Sequence, residues 1–303
     1  MSKVNNKEYL RLGASVYVPS IHKDIIQIAN GEKINPKSII FCTEDSISDA
    51  DLPLGLKNIE KMLKYSSKNS DMLKFIRVRN AEVFKQIIQM DNIQNIDGFV
   101  FPKITAYNIN NYIDIIKQNN GSNFFIMPTL ETKEAFDIEE IKKLREFLLH
   151  DDIYSQVLSL RIGGNDLLNI LGIRRSRYRT IYETPLGVTI SNLVTIFKPY
   201  GFNLTAPVCE LLQDNEILQK EIPNDLEHGL FGKTAIHPNQ IQIIESAYMV
   251  SKQDYEMASA ILKPNAEAVF QMYGVMCEIA THKVWAQDII DRSSIYGVLG
   301  SDK

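Results

Sequence analysis

Cysteine is scarce in this 303-residue sequence. Only Cys42, Cys209 and Cys277 occur, widely spaced and without a CxxC pair, which excludes a disulfide framework and a thiolate metal cage. Each lies among apolar neighbours, as a small buried hydrophobe does. Long hydrophobic runs are absent too: no stretch approaches the roughly 18 apolar residues that a membrane span needs. The N-terminal MSKVNNKEYLRLG has no apolar segment of a secretory signal, so a cytoplasmic location is expected. Neither sign of charge dominates. A formal charge of −4 offers no basic surface for nucleic acid and no polybasic membrane anchor. No low-complexity or Pro/Gly-rich linker divides the chain, which argues against two independent domains.

What is present is a recurring unit: a short apolar or β-branched run, a polar punctuation, then a helical pattern. The runs are 14–18, 38–41, 74–78, 98–101, 124–127, 157–162, 202–206 and 233–236, with starts 24 to 45 residues apart. That spacing is near the roughly 30 residues of a βα unit. Between them, Val83, Phe84, Ile87 and Ile88 share one helical face, as do Ile109, Tyr112, Ile113 and Ile116, and Ile141, Leu144 and Leu148. Strands alternating with helices imply a parallel sheet, and eight units imply closure into a (β/α)8 TIM barrel. The alternative, an open doubly wound sheet, normally carries a Gly-rich first turn, whereas this one reads GASVYVPS. The barrel is expected over residues 1–250 and a C-terminal helical extension over 251–303. Pro264 stands where a helix would begin, and Val269, Tyr273, Met276 and Ala280 follow a 3.6-residue period.

Barrel active sites lie at the C-terminal ends of the strands. Those ends read Thr43-Glu44-Asp45, Arg77-Val78-Arg79-Asn80, Pro102-Lys103, Pro128-Thr129-Leu130-Glu131-Thr132, Gly163-Gly164-Asn165-Asp166 and His237-Pro238. Glu131 and Asp166 follow neighbouring strands, so they are placed to share one hard cation. Mg2+, with Mn2+ as a substitute, takes one or two carboxylates and keeps waters and substrate as further ligands. Glu44 and Asp45 would order the metal's waters. No His-x-x-x-His or Cys cluster offers a zinc site. The ion would act as a Lewis acid on a 2-hydroxy or 2-oxo carboxylate.

Arginine suits a carboxylate or an enolate, because its fork donates two parallel hydrogen bonds. Arg77 is the candidate for that role. Arg79 either lines the mouth beside it, by period-two alternation, or stands after the strand has ended. Lys103, Gly164, Asn165 and His237 complete the candidate substrate-binding set. The glycine pair serves either a tight turn or close backbone approach to a ligand. His237 either bonds the substrate or fixes the eighth loop. The run Arg174, Arg175, Arg177 and Arg179 is either a solvated face or a receiver for the phosphates of an acyl carrier.

These strand ends, in this order, resemble those of the citrate lyase β-subunit family, with its malyl-CoA and citramalyl-CoA lyase relatives and the wider HpcH/HpaI aldolase superfamily. The matching pieces are Val16-Tyr17-Val18-Pro19, Thr43-Glu44-Asp45-Ser46-Ile47, Ile76-Arg77-Val78, Phe101-Pro102-Lys103, Leu130-Glu131-Thr132 and Ile162-Gly163-Gly164-Asn165-Asp166-Leu167. The most specific runs from Gly232 to Gln240 and is similar to a GKxxIHPxQ signature. More narrowly, the chain resembles C–C bond lyases associated with tellurium-resistance gene clusters. The resemblance implies Mg2+ on Glu131 and Asp166, substrate and enolate contact from Arg77, and metal-water ordering by Glu44 and Asp45. It implies carbon–carbon cleavage or its reverse on an oxaloacetate- or glyoxylate-sized carboxylate, the acyl fragment being carried as a CoA thioester, on a carrier protein, or free. It also implies a homo-oligomer, trimer or hexamer. The chain departs from the family pattern at Arg79, which precedes Asn80, and after the seventh strand, at Ala206-Pro207-Val208-Cys209-Glu210. Those departures keep open a catalytically silent metal- and ligand-binding barrel with a regulatory role. A third reading is another metal-dependent enolate enzyme, such as a class II aldolase or phosphoenolpyruvate mutase, over which the GKxxIHPxQ-like block favours the citrate-lyase-like group.

Overall fold

Runs rich in Val, Ile, Leu and Phe pair as parallel strands because helices can cover one side and a packed interior the other. In the computed structural model they are β1 (Ala14–Pro19), β2 (Ser38–Cys42), β3 (Leu73–Arg77), β4 (Gly98–Phe101), β5 (Phe125–Leu130), β6 (Leu160–Ile162), β7 (Leu204–Thr205) and β8 (Lys233–Ala235). The helices among and after them are α1 (Ile25–Ala29), α2 (Leu52–Tyr65), α3 (Ala81–Ile88), α4 (Ile109–Gln118), α5 (Ile138–Leu148), α6 (Asp151–Tyr154), α7 (Gly164–Ile170), α8 (Pro185–Phe197), α9 (Asn215–Glu227) and α10 (Asn239–Ala247). The structure describes residues 7–68, 71–213 and 215–300; residues 1–6, where the N-terminal stretch inspected for a signal begins, lie outside them. No helix among the described residues is long and apolar enough to cross a membrane.

Each strand pairs in parallel with its neighbour in the order β7-β6-β5-β4-β3-β2-β1-β8, and a parallel bridge from Ala206 to Lys233 brings the two edges together. The result is the nearly closed eight-stranded barrel that the spacing predicts, rather than an open sheet. β7 is shorter than its apolar run. Phe202 leaves the sheet and packs edge-to-face on Phe197 and Tyr154, with centroids 5.6 and 5.1 Å away.

Period-two alternation fills the barrel from its N-terminal end. Leu12, Ile40, Leu73, Phe75, Val100, Met127 and Leu158 form the interior cluster. The same inward rows then continue to Arg77 on β3 and to Thr129 and Glu131 at the end of β5. Strands β4 and β5 approach so closely that a Cβ on Gly98 would lie 2.0 Å from the Phe125 carbonyl oxygen. On the outer face, Phe84 of α3 sits against Phe99 and Phe101, at 4.8 and 5.0 Å between centroids.

One strand breaks the alternation. Ile126 pairs with Val157, yet Thr129 pairs with Arg161, so β5 advances three residues while the β6 segment advances four. This one-residue bulge at Leu158-Ser159 changes which side chains face inward. Leu158 joins the interior cluster, and Arg161 also turns inward, toward Met127 and Thr234.

A buried ionic cluster stands behind the wall at β8. Lys233 Nζ lies 2.9 Å from Asp225 and 3.3 Å from Glu221, both on α9, and Glu221 also pairs with Arg175. All four side chains are essentially inaccessible to solvent. Burial opposes the charge on Lys233, but Asp225 and Glu221 hold its pKa above the ordinary lysine value. Arg175 also donates to the Val208 carbonyl, tying the loop after β7 to α9.

The chain forms two compact units, residues 1–241 and 242–303. The second unit contains α11 (Lys252–Ile261), β9 (Val269–Met272), β10 (Val275–Glu278) and α12 (Ile279–Tyr296) around Val250, Ala258, Ile261, Cys277, Ala286 and Ile289. A terminal helix is present, but 269–278 is an antiparallel hairpin, not the helix that the spacing of Val269, Tyr273 and Met276 predicts. Tyr273 and Gly274 both adopt positive φ, 51° and 79°, and so form the tight reversal. Alternation then turns Phe270, Met272 and Cys277 onto that unit's core.

Replacing Lys233 by Met would leave two buried carboxylates short of a counter-charge. We expect Lys233→Met to lose about 3–5 kcal/mol of stability, measured as a lower denaturation midpoint at unchanged slope; a shift within experimental error would contradict the cluster's structural role.

Candidate functional site

Inward rows that end in charge create the pocket. At the C-terminal mouth a cavity of about 300 Å³ is lined by Tyr17, Cys42, Asp45, Ser46, Arg77, Thr129, Glu131, Arg161, Gly163, Gly164, Asn165, Asp166, Val208 and Thr234, among others. Arg77, at the end of β3, is its electrostatic centre. Its Nε and Nη2 lie 2.7 and 2.6 Å from Glu44 Oε2, and Nη2 also reaches Glu131 Oε1 at 2.9 Å and Asp45 Oδ2 at 3.4 Å. Although burial opposes its charge, Tyr17, Glu131 and Glu44 hold its pKa well above the ordinary arginine value.

Lys103 completes the network from β4. Its ammonium pairs with Glu44, and its backbone N–H donates to Glu131 Oε1 at 2.8 Å. That amide is aimed by a left-handed backbone, φ 51°, an uncommon conformation for a residue with a side chain. Burial alone would raise the Glu44 pKa, but Arg77 and Lys103 bring it down to about 2. Asp45, at the rim, is pushed up by partial burial and by Glu44 beside it. Burial also raises Glu131; Arg77 draws it back, and the Asp166 carboxylate adds to the rise.

Glu131 and Asp166 therefore face the same space and repel one another. Glu131 Oε1 is taken by Arg77 and Lys103, whereas Oε2 lies against Gly163, where a Cβ would stand only 2.4 Å away. Among the described residues no group of three or more His, Cys, Asp or Glu could hold a metal ion. A hard cation that retains its waters needs no such group. Two convergent carboxylates whose repulsion a cation would relieve, beside a position open only because it is glycine, fit Mg2+ by donor type and charge.

Other sequence candidates fall elsewhere. β3 ends at Arg77, and Arg79 turns away, donating to the carbonyls of Thr43 and Ile47 at 3.0 and 2.8 Å and pairing with Asp49. Arg79 thus braces the loop after β2 and does not line the cavity. His237 is exposed, accepts from the Asn239 amide at 3.2 Å and is not part of the cavity wall. Within the same block, Gln240 does the bracing: it accepts from the Ile236 amide and donates to the Cys209 carbonyl, at 3.0 and 2.9 Å. Of the arginine run, Arg175 is consumed by the buried cluster, while Arg174 and Arg177 border a separate cavity of about 560 Å³ with Glu210. Tyr17 and Thr129 stand in quoted strand segments without an expected role, and Thr234 and Arg161 are not among the expected site residues at all. A charged residue inside the apolar run 157–162 was the one available signal for the last.

With this geometry established, comparison with known proteins gives a consistent likeness. A family model described as C–C bond lyase of the TIM-barrel fold matches residues 6–298. The (3S)-malyl-CoA thioesterase of Cereibacter sphaeroides is 26% identical over 122 residues, 40% of this chain and 41% of that protein, so the match spans about two fifths of the relative. Among solved structures, CitE from Mycobacterium tuberculosis in complex with magnesium, acetoacetate and coenzyme A superposes with a TM-score of 0.67 at 18% identity, covering 94% of this chain and 99% of that one. Native malate synthase of Haloferax volcanii at 3 mM glyoxylate gives 0.69 at 13% identity, covering 83% and 78%. RipC of Yersinia pestis gives 0.59 at 16%, covering 79% and 95%. At these identities the structural likeness establishes the shared fold.

The network fixes an order of protonation. Acidification should discharge Glu131 and Asp45 first. The Glu44–Arg77 pair favours the folded state above the ordinary Glu value of 4.5 and weakens only as pH falls toward about 2. Carboxyl-detected NMR titration of the metal-free protein should show Glu131 taking its proton above that ordinary value and Glu44 last. The reverse order would contradict the network.

Proposed function

This chain belongs to the C–C bond lyase family of the TIM-barrel fold, and we propose that it cleaves or forms a carbon–carbon bond of a small 2-oxo or 2-hydroxy carboxylate with Mg2+ held by Glu131 and Asp166. The observation that carries this reading is that Glu131 and Asp166 line one cavity, with Oε2 of Glu131 beside Gly163 while Oε1 is pinned by Arg77 and Lys103. When bound, the cation would supply Lewis-acid polarisation of the 2-oxo carboxylate.

The chain's own groups divide the remaining work. Breaking the carbon–carbon bond sends its electron pair toward the carbonyl oxygen of one fragment. The Arg77 guanidinium, rigidly held and largely withdrawn from water, is placed to offset that charge. Removing such a donor typically costs ~2.7–4 kcal/mol of barrier. Glu44 stays ionised and fixes Arg77, while Asp45, its pKa raised at the rim, can order solvent or carry a proton on a carboxylate oxygen. Coenzyme A as the acyl carrier is part of this proposal, supported by the ligands of the CitE complex. The partial likeness to a malyl-CoA thioesterase favours a second reading, hydrolysis of a thioester in the same pocket. Product analysis separates the two, because hydrolysis releases the free thiol with the carbon skeleton intact.

Asp166→Ala should weaken Mg2+ binding in calorimetric titration by about tenfold or more, as loss of one of two protein carboxylates implies; equal affinity would remove the metal assignment. On the whole chain, light scattering should report a trimer or hexamer, and a monomer at working concentration would contradict the assembly inferred from the family.

A further inference from the structure

Arg161 stands apart from the network just described. Its residue surface is only 2% exposed, yet it lies in the cavity wall. Its contacts are a hydrogen bond from Nη2 to Thr234 Oγ1 at 2.6 Å, the Met127 sulfur at 4.0 Å, and the Tyr17 ring 5.5 Å below the guanidinium. Among the described residues no carboxylate pairs with it. A buried cation lacking a counter-charge is strongly unfavourable, and the other cations of the pocket show the contrast. Arg77 is shared among Glu44, Asp45 and Glu131, and Lys103 between Glu44 and Asp45.

A second, independent observation concerns the hydroxyls around it. Thr129 on β5 and Thr205 on β7 are the strand partners of Arg161. Both have Oγ1 atoms that are buried without a hydrogen-bond partner, a state that folded proteins rarely leave unexplained. Thr129 lines the cavity, as does Thr234, whose hydroxyl accepts from Arg161 and so keeps its own hydrogen free to donate. One guanidinium fork and two hydroxyl donors thus face the same space. Two carboxylate oxygens, with about four lone-pair sites, would satisfy all three groups; a neutral ligand end would satisfy the hydroxyls and leave the cation unpaired.

We propose that Arg161, with Thr129 and Thr234, is an anion cradle that receives a second carboxylate of the ligand and selects dianionic over monoanionic 2-oxo acids. The assignment rests on the pocket being the site of a 2-oxo acid, and it adds a specificity determinant to the same cavity wall, on β6, a strand that carries no member of the Arg77 network.

The test uses oxaloacetate and pyruvate, two 2-oxo acids that differ by that carboxylate, titrated calorimetrically into the full chain with Mg2+. The unaltered protein should favour oxaloacetate by about tenfold or more, and Arg161→Gln should bring the ratio of affinities near one. Arg161→Lys, which keeps the charge but loses the fork, should fall between. Thr129→Val removes an unpaired buried hydroxyl, so it should lower the ratio roughly threefold or more without lowering the melting temperature, a combination that a purely structural threonine would not give. An unchanged ratio in Arg161→Gln and Thr129→Val, or equal binding of both acids by the unaltered protein, overturns the cradle. If Asp166→Ala weakens both acids while the Arg161 and Thr129 variants leave the ratio intact, the lyase reading stands and the cradle alone falls. If the unaltered protein binds neither acid, the lyase reading falls and takes the cradle with it.

Discussion

Carboxylates gathered at the mouth of a barrel repel one another, and the Arg77 guanidinium is what allows Glu44, Asp45 and Glu131 to occupy one wall. The constraint begins in the strand. Leu73, Phe75 and Arg77 share the inward row of β3, so packing of the first two into the interior cluster fixes where the third must stand. With Arg77 placed, Glu131 has one oxygen held and keeps the other beside Gly163. The pocket's electrostatics therefore depend on the same alternation that fills the barrel.

Behind the wall, a second set of charges holds the loops rather than the ligand. Lys233, Glu221, Asp225 and Arg175 are buried together, and Arg175 and Gln240 reach the carbonyls of Val208 and Cys209. Buried ion pairs contribute little net stability but punish the loss of one partner, so they suit a scaffold that must keep one loop geometry. Through Lys233 and Gln240, the block from Gly232 to Gln240 fixes the segment after β7. Its exposed histidine does not take part in the pocket.

The barrel and the mouth were readable because both rest on local rules. Eight apolar runs at βα spacing imply the parallel order, and polar residues at strand ends imply a mouth. Glu44, Asp45, Arg77, Lys103, Glu131 and Asp166 converge on it because strand ends in a barrel always do. Arg79 could not be placed from alternation, since the answer depended on β3 ending at Arg77. The hairpin at 269–278 escaped because Val269, Tyr273 and Met276 suit a helical period as well as a strand; Tyr273 and Gly274 at positive φ decide between them.

Arg161 marks the boundary most clearly. The succession of strands and helices, and the charged residues carried at their ends, are written in the chain itself, because hydrophobic period and spacing are properties of neighbouring residues. The direction in which the β6 side chains face is set by pairing between strands instead. A single extra residue at Leu158-Ser159 is visible solely against the register of β5, and it turns a cation from the outer wall into the pocket.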